Sequence, residues 1–225
     1  MFVISRPLIL LLGCAAITGC TFGPTASAPY NSKAWRPQNP NNVKISVSLR
    51  NKMAYVTEGR RVLLVTPVTI GTAEDPTPKG DFKIFRKLEK KRSYTYGFHI
   101  LGNTIRPGKS ANTPSGGRYA GYPMPYWLEF APGYGFHSGG VWPVPRSHGC
   151  LRVHKNVAPK LFFMIKSGTP VHIADWLPED QTIGRNIPRP TDYAEPDPPA
   201  SVLITPQAFP APPAALYEAE PAPAI

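Results

Sequence analysis

Val43-Lys44-Ile45-Ser46-Val47-Ser48-Leu49 sets an apolar side chain at every second position and a polar one between. A period of two sends the two sets to opposite faces of an extended chain, so the stretch reads as a strand with one face on a core and the other toward solvent. Short β-rich runs recur outward from it, at residues 54–56, 62–65, 68–70, 82–85, 127–130 and 171–173. Asn51, Gly59, Gly71, Pro76, Gly80, Gly133 and Gly168 punctuate them. One run alone has helical spacing: residues 157–166, with Ala158, Leu161, Phe162 and Ile165 three and four apart, predict a single short helix that Gly168 can end. Residues 43–177 are thus expected to form one mainly β domain, a sandwich or small barrel, long enough to bury a core.

On both sides of that domain the hydrophobic period is lost. Residues 21–42 are rich in Pro, Asn, Ser and Ala and read as a flexible tether. Residues 178–225 hold 12 prolines, and seven Asp or Glu against Arg185 and Arg189, and read as a Pro-rich, acidic, disordered tail. The whole chain carries a net charge of +11, so with −5 on the tail, residues 1–177 carry +16. A surface so basic suits an anionic polymer as partner.

Residues 1–20 read as an export signal. Arg6 precedes an apolar run at 8–12, too short to span a bilayer, which takes about 20 apolar residues. Ile17-Thr18-Gly19-Cys20 resembles the lipobox of bacterial lipoproteins, in which cleavage is coupled to lipidation of the cysteine; residues 11–14, ending at Cys14, fit the pattern with less apolar sequence ahead of them. The expectation is a periplasmic protein anchored through lipidated Cys20 to a membrane, the outer one for preference, or secreted and soluble if the signal is simply removed. Nucleic acid is not an expected partner outside the cytoplasm.

Export leaves Cys150 without a partner in the mature chain. Such a thiol dimerises, is buried and inert, or is reactive. His137 and His148 lie close by in sequence, with His154 just beyond. A thiol with its ordinary pKa of about 8.5 is only slightly ionised at neutral pH, and an imidazole that takes its proton makes it a nucleophile. A zinc site built from His137, His148, Cys150 and His154 is the competing reading of the same residues, without a nearby acid or a familiar peptidase spacing to support it.

The motif Ser147-His148-Gly149-Cys150-Leu151-Arg152 decides more. Together with Thr69-Ile70-Gly71, residues 76–82, Met124-Pro125-Tyr126-Trp127, Gly133-Tyr134-Gly135-Phe136-His137 and residues 168–171, it resembles the L,D-transpeptidase catalytic domain, the YkuD family. The thirteen positions from His137 to Cys150 are fewer than in many members. The resemblance implies a mainly β sandwich with one short helix after a catalytic Cys150. It further implies His137 as general base, held by the backbone carbonyl of Ser138, and an oxyanion site among the amides of His148, Gly149 and Cys150. His148 would position the substrate or thiolate, and Arg152 would meet a carboxylate of the donor. Ser147 and Tyr126 are further candidates for substrate contact, Ser147 with a structural role as its other reading; His99, His154 and His172 read as surface or strand residues.

The implied reaction starts on a peptidoglycan stem tetrapeptide. Cys150 forms a thioester with its third residue and releases D-alanine, and an amine of a second stem or of an envelope protein takes the acyl group. No cofactor is expected, because the thioester keeps the energy of the amide bond, and carbapenems are expected to acylate the same cysteine. Hydrolysis by the same cysteine, and a non-catalytic wall-binding lipoprotein, are the alternatives. The basic run at 87–92 and the Gly-rich stretch at 107–117 suggest a loop that lies over the site as a lid.

Overall fold

The computed structural model describes residues 29–219. The expected export signal, Cys14 and Cys20, and the first part of the expected tether lie outside them. Twelve strands follow one another: β1 (Val43–Ser48), β2 (Met53–Glu58), β3 (Arg61–Thr69), β4 (Gly80–Lys83), β5 (Arg86–Leu88), β6 (Arg92–Leu101), β7 (Thr104–Lys109), β8 (Arg118–Pro123), β9 (Trp127–Ala131), β10 (Tyr134–Ser138), β11 (Leu151–Val153) and β12 (Pro170–Ala174). Helix α1 (Ala158–Met164) lies between the last two, where the apolar spacing predicts it, and a four-residue helix α2 (Ala200–Leu203) follows in the tail. The fold is mainly β, as the alternation implies.

Nine strands form one sheet, in the order β4-β12-β1-β2-β3-β11-β10-β9-β5. Its two end strands, β4 and β5, are neighbours in sequence with only Ile84 and Phe85 between them, so the sheet must curl until its edges meet. The junction is hydrogen-bonded: Ile84 N–H donates to Thr169, Phe85 N–H to Glu129, and Gly168 N–H to Ile84. Inside the curl Phe82 meets Phe130 with ring centres 5.3 Å apart. Val43, Ile45, Val47, Leu64, Leu128, Phe136, Leu151 and Val153 fill the interior, with Leu161 and Phe162 of α1 packed against them. Lys87 on β5 donates to the carbonyls of Phe162 and Ile165 at the C-terminal end of α1, where a cation is favoured.

The stretch expected as a lid loop is regular structure. Strands β7-β6-β8 form a separate antiparallel sheet of three, projecting from the main one.

Both expected flexible flanks also pack where they are described. Ala34 is fully buried and bridges Leu64, and Trp35 N–H donates to Leu63. Residues 178–219, expected to be disordered, run over the domain as short 3-10 turns and α2, closing with Glu218 N–H donating to Ala34. Proline excludes a regular ladder without excluding packing, because it leaves carbonyls for side-chain donors to claim. The first anchor is Asp180, which accepts from Tyr55 Oη (2.6 Å), Ser48 Oγ (2.7 Å) and Leu177 N (3.1 Å). Ser46 and Ser48, expected to face solvent from β1, are buried. Among the described residues no helix is long and apolar enough to cross a membrane.

Asp180→Ala leaves three buried donors without their acceptor and is expected to lower stability by about 3 kcal/mol in urea denaturation. Arg185→Ala, on the same segment, should change it by less than about 0.5 kcal/mol.

Candidate active site

Strands β10 and β11 run parallel, with Phe136 beside Leu151, His137 beside Arg152 and Ser138 beside Val153. Partners in register share a face of the sheet, and alternate residues along a strand return to it. Phe136, Leu151 and Val153 therefore point into the core, while His137, Arg152 and, two residues before it, Cys150 point to the other side. The same register brings Glu129 opposite Gly135, adding Trp127 and Glu129 of β9 to this face. Thr69 of β3, opposite Arg152, completes it.

His137 is 6% exposed and its Nδ1 lies 2.8 Å from the carbonyl oxygen of Ser138. A carbonyl only accepts, so Nδ1 carries the proton and Nε2 keeps its lone pair. Burial, and then the Arg152 guanidinium, push the imidazole pKa down to about 4 against the pull of the Ser138 hydrogen bond. Burial also pushes the Cys150 thiol up, opposed by the Gly135 N–H and by the charges of Arg152 and Lys91. Thiol and imidazole therefore both rest uncharged at neutral pH. The thiol is partly exposed and makes one long contact, 3.6 Å, to the carbonyl of Gly133.

The loop that delivers Cys150 is held by its own short bonds. Ser147, 2% exposed, donates to the carbonyl of Cys150 (2.6 Å) and accepts from Gly149 N–H (3.1 Å). Thr77 donates to the Gly149 carbonyl at 2.8 Å and accepts from Gly71 N–H at 3.0 Å. Gly149 has φ +94°, and a Cβ there would stand 2.4 Å from the Tyr134 ring, so only glycine fits. Thr69 pins the other end of the loop, donating to Gly140 and accepting from Trp142 N–H.

The sequence candidates separate accordingly. Cys150, His137, Ser138, Gly149 and Arg152 come together. His148 stays at the rim, half-exposed, its ring stacked on Tyr96 of β6 at 4.1 Å and 4.0 Å from Asp75. Ser147 is spent on shaping the loop, and the Gly149 N–H it engages is not available to an oxyanion, which leaves the amides of His148 and Cys150. Tyr126 is not a substrate contact: it is 3% exposed, packs on Phe162 and Phe163, and donates its hydroxyl to Pro210. His154 is buried too, its Nε2 2.9 Å from Asp192 and its ring against Tyr30. The zinc cluster does not assemble, and among the described residues no group of three or more His, Cys, Asp or Glu is placed to hold a metal.

Three residues of the site have no signal in the motif. Trp127 lies 6.1 Å from the His137 ring and donates to Glu129, which is buried and also accepts from Gly133 N–H. Lys91 is 7% exposed, donates to the carbonyl of Arg92, and sits 3.6 Å over the Tyr94 ring and 5.8 Å from Trp127. Alternation in β9 would have set Trp127 and Glu129 on one face, but only the pairing of β9 with β10 shows which face.

The model of the family described as YkuD, L,D-transpeptidase catalytic domain, matches residues 42–173. The chain belongs to this family. No curated protein matches it. Among solved structures it is similar to an L,D-transpeptidase from Stackebrandtia nassauensis, with 24% identity over 65% of this chain and 60% of that one and a TM-score of 0.44. It is similar too to L,D-transpeptidase 1 of Mycobacterium tuberculosis, with 22% identity over 59% of each chain and a TM-score of 0.43. Against the catalytic domain of the E. faecium enzyme the figures are 27% identity, 59% of this chain, 96% of that chain and a TM-score of 0.42. The chain thus spans about three fifths of the first two. In this YkuD domain the signature residues divide by task, with Ser147 and Gly149 shaping the turn and Cys150 and Arg152 facing outward.

Gly149→Ala puts a methyl group into the Tyr134 ring at a positive φ and is expected to cost about 2 kcal/mol of stability in urea denaturation. It should also slow alkylation of Cys150 by iodoacetamide.

Proposed function

We propose that this chain is a cysteine L,D-transpeptidase acting on peptidoglycan stem tetrapeptides. The observation that carries the reading is the His137–Ser138 hydrogen bond, which leaves Nε2 as a lone-pair base on the face it shares with the unpaired thiol of the family motif. His137 Nε2 takes the Cys150 proton as sulfur attacks the carbonyl carbon of the third stem residue. The tetrahedral oxyanion is met by the amides of His148 and Cys150. The C–N bond to D-alanine then breaks, His137 returns the proton to the leaving amine, and a thioester remains. An acceptor amine attacks the thioester, gives a proton to His137 and restores the thiol. Arg152 receives a carboxylate of the donor stem.

The acceptor is an amine of a second stem or of an envelope protein. The sequence before residue 29 supports an exported domain held at a membrane, the outer one for preference, by lipidated Cys20. Neutral resting groups fit this chemistry, because proton transfer and attack then run together and no buried ion pair has to be maintained before the substrate arrives.

Incubated with disaccharide tetrapeptide and followed by mass spectrometry, the full chain is expected to release D-alanine and form a cross-linked dimer. Cys150→Ala should lower the rate at least about a thousandfold. Accumulation of tripeptide without dimer would point to hydrolysis, and no product with either chain would overturn the reading.

His137 works only when neutral, so its activity is lost as pH falls through its folded pKa. With that pKa pushed down to about 4, kcat/KM should stay level from pH about 8 to about 5 and fall only below that. An acid limb near pH 6.5, with the fold intact by circular dichroism, would contradict the buried, neutral base.

A further inference from the structure

The tail does more than pack. Between Asp192 and Pro210 it crosses the catalytic side of the domain, gripped at two places. At the first, Asp192 meets His154 and Tyr193 lies 5.0 Å from Trp142, in the loop between His137 and Cys150. At the second, Leu203 is buried, and Arg92 donates to the carbonyls of Leu203 and Thr205, both at 2.8 Å, with Phe209 under its guanidinium at 4.9 Å. Tyr126 closes this grip on Pro210 at 2.8 Å.

The span between the grips, Glu195-Pro196-Asp197-Pro198-Pro199, holds a carboxylate between two prolines. Proline fixes its own φ and confines the residue before it to extended conformations, so Asp197 is held with little conformational freedom to lose. Its Oδ2 accepts from Tyr122 Oη at 3.1 Å. Tyr122 and Asp197 are the groups, with Cys150, whose negative charge acts on the Arg152 guanidinium, and no ion pair of Arg152 is formed elsewhere among the described residues. Arg152 itself lies along Gly139, where a Cβ would stand 3.2 Å from its side chain.

We infer that Arg152 and Tyr122 form a carboxylate-binding subsite beside Cys150, and that Asp197 of the chain's own tail occupies it in competition with the donor's carboxylate. The inference rests on the donor-binding role proposed for Arg152 and adds Tyr122 as a residue that selects for an anionic donor. Asp197 is exposed and held by a single side-chain hydrogen bond, a contact of about 1 kcal/mol, so it is displaceable. The grips on either side are not displaced with it, and keep the carboxylate at high local concentration over the guanidinium. Donor occupancy therefore costs affinity for any acyl group without a carboxylate of its own, while a carboxylate-bearing stem replaces like with like.

Two alkylating reagents test this on the full chain without the natural substrate. Iodoacetate and iodoacetamide both transfer a carbon to the Cys150 sulfur with loss of iodide, and differ in that only the first carries a carboxylate. In Asp197→Asn the rate of carboxymethylation, followed by intact mass, should rise about tenfold while the iodoacetamide rate changes by less than about twofold. Adding Arg152→Gln to Asp197→Asn should remove the rise. An iodoacetate rate that Asp197→Asn leaves unchanged overturns the inference, and so does an equal rise for both reagents, which would make the strap a steric cover alone. D-Alanine release from the tetrapeptide separates the two proposals. A several-fold lower KM at unchanged kcat in Asp197→Asn supports the subsite, and an unchanged KM with turnover intact overturns it while leaving the reaction standing. If the reagents part as described but neither chain releases D-alanine, the subsite stands and the transpeptidase reading falls.

Discussion

Two parallel strands cannot be joined by a tight turn, and the pairing of β10 with β11 is the constraint on which this site depends. The chain leaves β10 after His137 and must travel back along the pair before Leu151 can enter the ladder in register. The return loop thus ends at the same end of the sheet at which β10 begins, with Cys150 as its last residue. A motif separated by thirteen positions becomes a thiol and an imidazole on one face because the backbone has no shorter way to make a parallel pair. It is held there by Thr69 at one end and by Ser147, Thr77 and Gly149 at the other.

The second consequence of that pairing is electrical. Setting His137 in register with Arg152 places a guanidinium beside the imidazole, and the curl of the sheet buries both. Desolvation drives the imidazole toward its neutral form and the thiol toward its protonated form, with Arg152 reinforcing the first and opposing the second. One cation thus favours the base in its working state and the thiolate as it forms. The basic sequence at 87–92, which reads as one patch, is divided by the fold into separate tasks. Lys87 caps α1, Lys91 is buried near Trp127, and Arg92 grips the tail.

The strands of the curled sheet were legible because alternation is a local signal, and β1, β9 and β12 lie close to where apolar residues recur. Helix α1 was legible for the same reason, and Cys150, His137 and Arg152 because a contiguous motif names them. Tyr126 was misplaced: it stands next to a strand residue that does face the site, Trp127, and only its own φ of +59° and the course of the tail turn it into the core. Trp127, Glu129, Lys91 and Tyr122 reach the catalytic side through pairings of strands distant in sequence, which no local period encodes. Ser46 and Ser48 read as solvent-facing because the partner that covers them, Asp180, comes from more than a hundred residues away.

The tail shows where composition stops being a guide. Twelve prolines and a net negative charge do describe a chain that cannot join a ladder or build a core. They do not describe what such a chain does when a basic domain offers it donors. Each proline removes an N–H and leaves a carbonyl, so a Pro-rich segment is a row of acceptors, and Arg92 and Tyr126 are donors in place to meet it. The opposite charges of tail and domain, which read as two separate facts, then belong to one arrangement. Because its prolines are stiff, the strap keeps its course between the grips, and its one carboxylate in contact with the site side falls on Tyr122. An acidic tail of flexible residues would carry the same charge and spread it over the whole basic surface; the spacing of prolines around Asp197 is what turns a general attraction into a position.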